Sequence, residues 1–184
     1  RGTEHTLPID VPAHCTKHRP SRDSQAGEVG HRRARCEADR ALARQVEQRQ
    51  LPSPSTIAIG VGSTCTSAGL LVGVQLAARL GIGWTRAPRI TSIRVTPWPV
   101  TAHTRIVRLA LATSELLVSL TGDARHAFDR KSLGAGLGVD GRWLGRGYGY
   151  RTASGLEAIE LFRAHAGIEL DTTYGAKSAA GALA

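Results

Sequence analysis

The sequence predicts an α/β domain of three layers built on a mostly parallel sheet, and two observations carry that prediction. Short apolar runs alternate with longer segments whose apolar residues recur at helical spacing, and glycine- or proline-bearing turns separate the two kinds. Their order, strand, loop, helix, strand, helix, is that of a βαβ unit, whose crossover helices cover the faces of a parallel sheet.

The elements follow in order. Thr56-Ile57-Ala58-Ile59 reads as a buried strand. It leads through Gly60-Val61-Gly62-Ser63-Thr64-Cys65-Thr66 into SAGLLVGVQLAARLG, a helical pattern that Gly81 stops. Ile90 to Val95 reads as a second strand, ended by Pro97 and Pro99. The spacing from His103 to Leu120 predicts an amphipathic helix with Ile106, Leu109, Ala110, Leu116, Leu117 and Leu120 on its buried side. Residues 121 to 142 are glycine-rich and read as irregular. A further helix is expected from Ala153 to His165, capped by Thr152 or Ser154, and a short one after Tyr174. No internal repeat is visible.

Upstream, Ala38 to Gln48 is rich in helix formers, and Pro52 and Pro54 end that pattern. Residues 1–37 read as a basic, poorly structured segment and residues 38–184 as the α/β domain. The first 50 residues hold no Phe, Trp or Tyr and four of the seven histidines, too little apolar area to offset the entropy of ordering.

With 24 Lys+Arg against 15 Asp+Glu, the 184-residue chain has a formal net charge of +9, and 41% of it is hydrophobic. These values exclude a wholly disordered or collagen-like chain. No apolar run reaches the ~18 residues a membrane span requires and no secretory pattern opens the chain, so the reading is soluble and cytoplasmic. Cys15, Cys36 and Cys65 are an odd, sparse set, which points to reduced thiols. The chain holds no methionine and begins at Arg1, so a fragment, or a processed or mis-framed product, is expected. Only Lys17, Lys131 and Lys177 could supply an amine nucleophile.

The stretch from Gly62 to Thr66 carries the most chemistry. Small and hydroxyl residues between a strand and a helix present backbone N–H groups where the helix dipole favours an anion. Such a loop alone is equally compatible with a tight turn that binds nothing. A nucleotide P-loop needs Gly-Lys-Ser/Thr, and no lysine lies between Lys17 and Lys131. A dinucleotide site wants a third glycine where Cys65 stands and an acid after the next strand, yet from Gln48 to Ser114 there is no Asp or Glu. Seven arginines in that stretch favour a compact phosphate monoester, and pyridoxal phosphate is the common cofactor with that demand.

Three motifs then carry a resemblance. GSTCTSAGLLVG (62–73) resembles the phosphate loop and helix of the fold type II pyridoxal-phosphate enzymes, the tryptophan-synthase-β-like superfamily. Residues 145–183, GRGYGYRTASGLEAIELFRAHAGIELDTTYGAKSAAGAL, are similar to the C-terminal stretch of its aminocyclopropane-carboxylate deaminase and D-cysteine desulfhydrase family, and residues 93–117 look like that family's strand and helix after the loop. The resemblance implies a partial fold type II domain and a lyase or deaminase acting on a small amino acid, homodimeric in the intact family. It further implies that Gly62, Ser63, Thr64, Cys65 and Thr66 hold the cofactor phosphate and that Tyr148 and Tyr174 face the substrate. Two departures stand out. Gly175 occupies the position where a deaminase has an acid facing the pyridine nitrogen, and only Lys17, in an unlike context, precedes the loop where the family has its Schiff-base lysine. The expectation is the cofactor-phosphate part of such an enzyme without its lysine-bearing part. The other reading is a non-catalytic remnant or a basic interaction module.

The remaining signals are weaker. His14, Cys15, His18, His31 and Cys36 match no regular zinc spacing, so no metal is expected. The Arg32-Arg33-x-Arg35 cluster lacks aromatic residues for stacking, so it reads as a solvated tail and not as a nucleic-acid site. Cys65 could be a reactive thiol, but reads more simply as a small loop residue. Trp84, Trp98 and Trp143 read as packing residues beside turns, and His103, His126 and His165 as surface or helix residues.

Overall fold

The computed structural model describes residues 53–83 and 85–184. The helix expected at 38–48, the histidine and cysteine set before residue 37, the arginine cluster, Lys17 and Trp84 lie outside the described residues.

The described residues form an α/β domain with a three-stranded, all-parallel sheet in the order β1-β2-β3: β1 (Thr56–Val61), β2 (Arg89–Arg94) and β3 (Leu137–Asp140). The register aligns Ile57 with Ile90 and Ile90 with Leu137. Between the strands run α1 (Cys65–Arg79), α2 (His103–Thr121) and the short α3 (Arg130–Ala135); α4 (Ala153–Ala166) and α5 (Gly175–Ala182) follow β3.

Strand alternation sorts the side chains into two layers. Ile57, Ile59, Val61, Ile90, Leu137 and Val139 join Leu71 and Val72 of α1, Ile106, Val107 and Ala110 of α2, and Leu133 of α3 in one apolar core. On the other face α5 packs on β1 and β2, with α4 outside it, and Ala158, Ala179 and Ala180 form a small core with Trp143 and Phe162 against it. The expected three layers are therefore present.

Four details differ from the sequence reading. Gly60 and Val61 belong to β1, and α1 begins at Cys65, so the loop proper is Gly62 to Thr64. The region 121–142 contains α3 and β3: Asp129 caps α3 by accepting the Ser132 N–H at 2.8 Å, and β3 is held by its pairing with β2 despite its glycine. On α2, Leu116 and Leu120 are exposed, at 57% and 72%, while Ser114 is buried. Ser114 Oγ donates to the His126 carbonyl and accepts the Phe128 N–H, so the returning chain covers the serine face and leaves the two leucines outside. Trp98, read as a packing residue, is 69% exposed.

The other helix boundaries follow local chemistry. Gly122 and Gly167 end α2 and α4 at φ 68° and 64°, in the left-handed region that glycine enters without steric cost. Thr152 caps α4 by accepting the Gly155 N–H. Among the described residues no helix is long and apolar enough to cross a membrane.

Candidate functional site

The turn after β1 is built by its neighbours. The Gly62 carbonyl accepts Thr96 Oγ1 at 2.9 Å; Thr101 Oγ1 donates to the Thr96 carbonyl at 3.2 Å and accepts Arg94 Nε at 2.8 Å. Below the turn, Ser92 Oγ donates to Ser67 Oγ at 2.9 Å, tying β2 to the first turn of α1 through two fully buried hydroxyls. The segment after β2 is thus the support of the segment after β1.

Within the turn, Gly62 and Thr64 are buried, Ser63 and Cys65 are exposed and Thr66 is partly buried. Thr64 stands at the N-cap position of α1 without a side-chain cap hydrogen bond, and no acid occupies the first turn. The end of α1 therefore keeps its positive electrostatic character and presents it beside three hydroxyls.

Tyr174, the N-cap residue of α5, lies directly on this turn. A Cβ added at Gly62 would overlap the Tyr174 hydroxyl and stand 2.8 Å from Cζ; one at Gly60 would overlap Ser178 Oγ. The two glycines are thus required by the close approach of α5, whatever the turn binds. Tyr148 meets Tyr174 edge-on, with ring centroids 6.0 Å apart and planes at 82°. Burial raises the Tyr174 hydroxyl above its ordinary pKa, and Tyr148 and Asp171 add to the rise. The Tyr174 phenol, protonated at neutral pH at the ordinary tyrosine value, is held more firmly so.

Two residues to which the sequence reading gave no role at the site bind the backbone beside these tyrosines. Asp171 accepts the N–H groups of Thr173 and Tyr174 on Oδ1, at 2.8 and 2.7 Å, and of Gly175 on Oδ2 at 2.8 Å. Partial burial pushes its carboxyl up, but the backbone donors outweigh this and leave it below the usual value. Lys177 is fully buried, and its ammonium donates to the Leu144 and Gly147 carbonyls at 2.9 and 2.8 Å. Burial pushes its pKa down. The Asp-x-x-Tyr spacing was the available signal for Asp171; a lysine amid alanines on a short helix was the signal for Lys177.

The structure therefore brings the turn residue Gly62 against Tyr174, and Tyr174 against Tyr148, from three separate stretches of sequence. Of the other sequence candidates, Cys65 is an exposed free thiol. His103 and His165 are exposed, and His126 binds Thr121 Oγ1. Among the described residues no three of His, Cys, Asp and Glu form a metal cluster. An open groove lined by Thr56, Arg89, Thr91, Gly138, Asp140 and Arg142 includes none of the turn residues.

No family model matches this chain, and no curated protein matches it. Among solved structures it is similar to that of "the ACC deaminase homologue", with a TM-score of 0.47 and 21% sequence identity over 77% of this chain. The chain spans 38% of the length of that protein.

Proposed function

We propose that the chain carries the phosphate cradle and substrate-facing tyrosines of a pyridoxal-phosphate-dependent lyase or deaminase acting on a small amino acid, of the D-cysteine desulfhydrase or aminocyclopropane-carboxylate deaminase type. The observation that supports this best is the meeting of Tyr174 with Gly62 and Tyr148 at the uncapped N-terminal end of α1. The donor set fits a phosphate monoester: helix-end N–H groups, the hydroxyls of Ser63, Thr64 and Thr66, and no carboxylate in the first turn. Ser63, Thr64, Cys65 and Thr66 would hold the phosphate, while the Cα of Gly62 faces Tyr174 and contributes the close approach.

When bound, pyridoxal phosphate supplies an electron sink for charge developing at the substrate Cα. The chain's own part is positional. Tyr174, a phenol protonated at neutral pH, holds a proton beside the turn, with Tyr148 edge-on to its ring. A side chain at Gly175 would begin 3.0 Å from Asp171 Oδ2 and 3.3 Å from Leu170 Cβ. Gly175 supplies no acid where the deaminases carry one, and desulfhydrase-like elimination is favoured over a reaction needing an acid at that position.

A second reading, a phosphate-binding remnant without this chemistry, is favoured by the described lysines. Lys131 is exposed at the start of α3 and the Lys177 ammonium is committed to two carbonyls, so neither is at the turn. An absorbance titration with pyridoxal phosphate, followed by borohydride reduction and peptide mapping, separates the readings. The proposal expects saturable binding that inorganic phosphate competes away and that Ser63→Asp weakens at least about tenfold, through repulsion at a helix N-terminus. A specifically labelled lysine supports the enzyme, and phosphate-competed binding without a label supports the remnant. Binding indifferent to phosphate and to Ser63→Asp contradicts both.

A further inference from the structure

Lys177 is the largest fully buried side chain among the described residues, and it has no carboxylate partner there. Burying an ammonium without an anion is expensive, and an unbranched apolar residue would fill the same space among alanines at no such cost. What the lysine adds is a hold on two carbonyls 33 and 30 residues upstream. The segment it holds is poorly able to hold itself. Gly145 and Gly147 sit at φ 64° and 141°, and the nearby backbone hydrogen bonds, Leu144 N–H to Gly141 and Tyr150 N–H to Gly147, are both long at 3.4 Å. Gly147 directly precedes Tyr148, so fixing its carbonyl fixes the peptide plane from which Tyr148 projects.

We propose that Lys177 is a positioning residue: its ammonium clamps the turn from Leu144 to Gly147 so that Tyr148 stands edge-on to Tyr174 over Gly62. The clamp's importance for chemistry rests on reading the two tyrosines as the substrate face. The clamp itself does not, and it is tested on the chain without cofactor, so either idea can fail alone.

Arg146 lies between the two clamped carbonyls, and Arg86, exposed between α1 and β2, serves as an internal reference for trypsin. In the unsubstituted chain, cleavage after Arg146 is expected to be at least about tenfold slower than after Arg86, because cleavage follows the population of the locally open state. Lys177→Met should raise the Arg146 rate about tenfold with Arg86 unchanged, the loss of a charged donor from two carbonyls being worth at least that factor. Lys177→Gln, which keeps a donor, should fall between. A readout that plain destabilisation would not move is the ultraviolet titration of the tyrosines. Tyr148→Phe should lower the Tyr174 midpoint when Lys177 is present and leave it unchanged in the Lys177→Met chain. Equal Arg146 and Arg86 rates in the unsubstituted chain would overturn the clamp, a result readable even if both variants fail to fold. So would parallel rises at both sites, or the same tyrosine response in both backgrounds.

Discussion

On the face covered by α1 and α2, Leu71, Ile90, Ile106 and Leu133 interlock with no exposure at all, whereas on the α5 face the buried helix residues are Ala176, Ala179 and Ala180 around Lys177. The first face is held by branched side chains that exclude water. The second is held by close approach, with glycines at 60, 62 and 181 making room, and by polar contacts from Asp171, Lys177 and Thr152. The difference teaches that the two faces are held by different means. Burial supplies most of the free energy on the first face, and hydrogen bonds of fixed direction on the second set Tyr174 against Gly62 and Tyr148 against Tyr174.

Substitutions sharpen that comparison. Leu71→Ala or Ile106→Ala should have the largest effect, about 2–5 kcal/mol of lost stability in chemical denaturation, because each leaves a cavity in the dense core. Gly181→Val comes next. Its Cβ would stand 2.7 Å from Ile93 Cδ1 and 2.9 Å from Trp143 Cδ1, and overpacking of this kind costs about 1–3 kcal/mol, measured the same way. Thr152→Ala should cost about 1 kcal/mol, seen as a lowered denaturation midpoint, by removing the cap on the Gly155 N–H. If Leu71→Ala proved no worse than Thr152→Ala, the contrast between the faces would be broken.

A pH measurement addresses the junction between the faces. The Arg142 guanidinium holds the Asp140 carboxyl down at about 2, with further help from the Arg142 N–H and Trp143 Nε1 against the opposing effect of burial. The folded pKa lies below the unfolded value of about 3.9, so the contribution is complete above about pH 4 and is lost as the pH falls toward about 2. Asp140→Asn should therefore flatten the acid limb of a stability profile between those values. The smallest effect is expected from Leu116→Gln and Leu120→Gln, within about 0.5 kcal/mol, because both leucines already face solvent.

Much of the dense face was legible in the sequence, because Ile57, Ile59, Ile90 and Leu71 carry periodicities that a strand or helix must satisfy. Leu116 and Leu120 misled for a physical reason: hydropathy ranks leucine above serine, and only the returning chain at His126 and Phe128 decides that the Ser114 face is covered. β3 was illegible because four residues with a central glycine acquire strand geometry from β2 and not from their own propensity. At the candidate site, the motifs holding Gly62, Tyr148 and Tyr174 were legible, and their adjacency was not. The roles of Asp171 and Lys177 were not, since each depends on backbone groups whose positions are set by tertiary structure.

The most direct test of the central claim is an amide-resolved NMR titration of the chain with pyridoxal phosphate, inorganic phosphate and unphosphorylated pyridoxal. The account predicts that the two phosphate-bearing ligands shift the amides of Ser63 to Thr66 and that pyridoxal does not. Shifts confined to the groove around Arg89 and Arg142, or equal shifts with all three ligands, would contradict it.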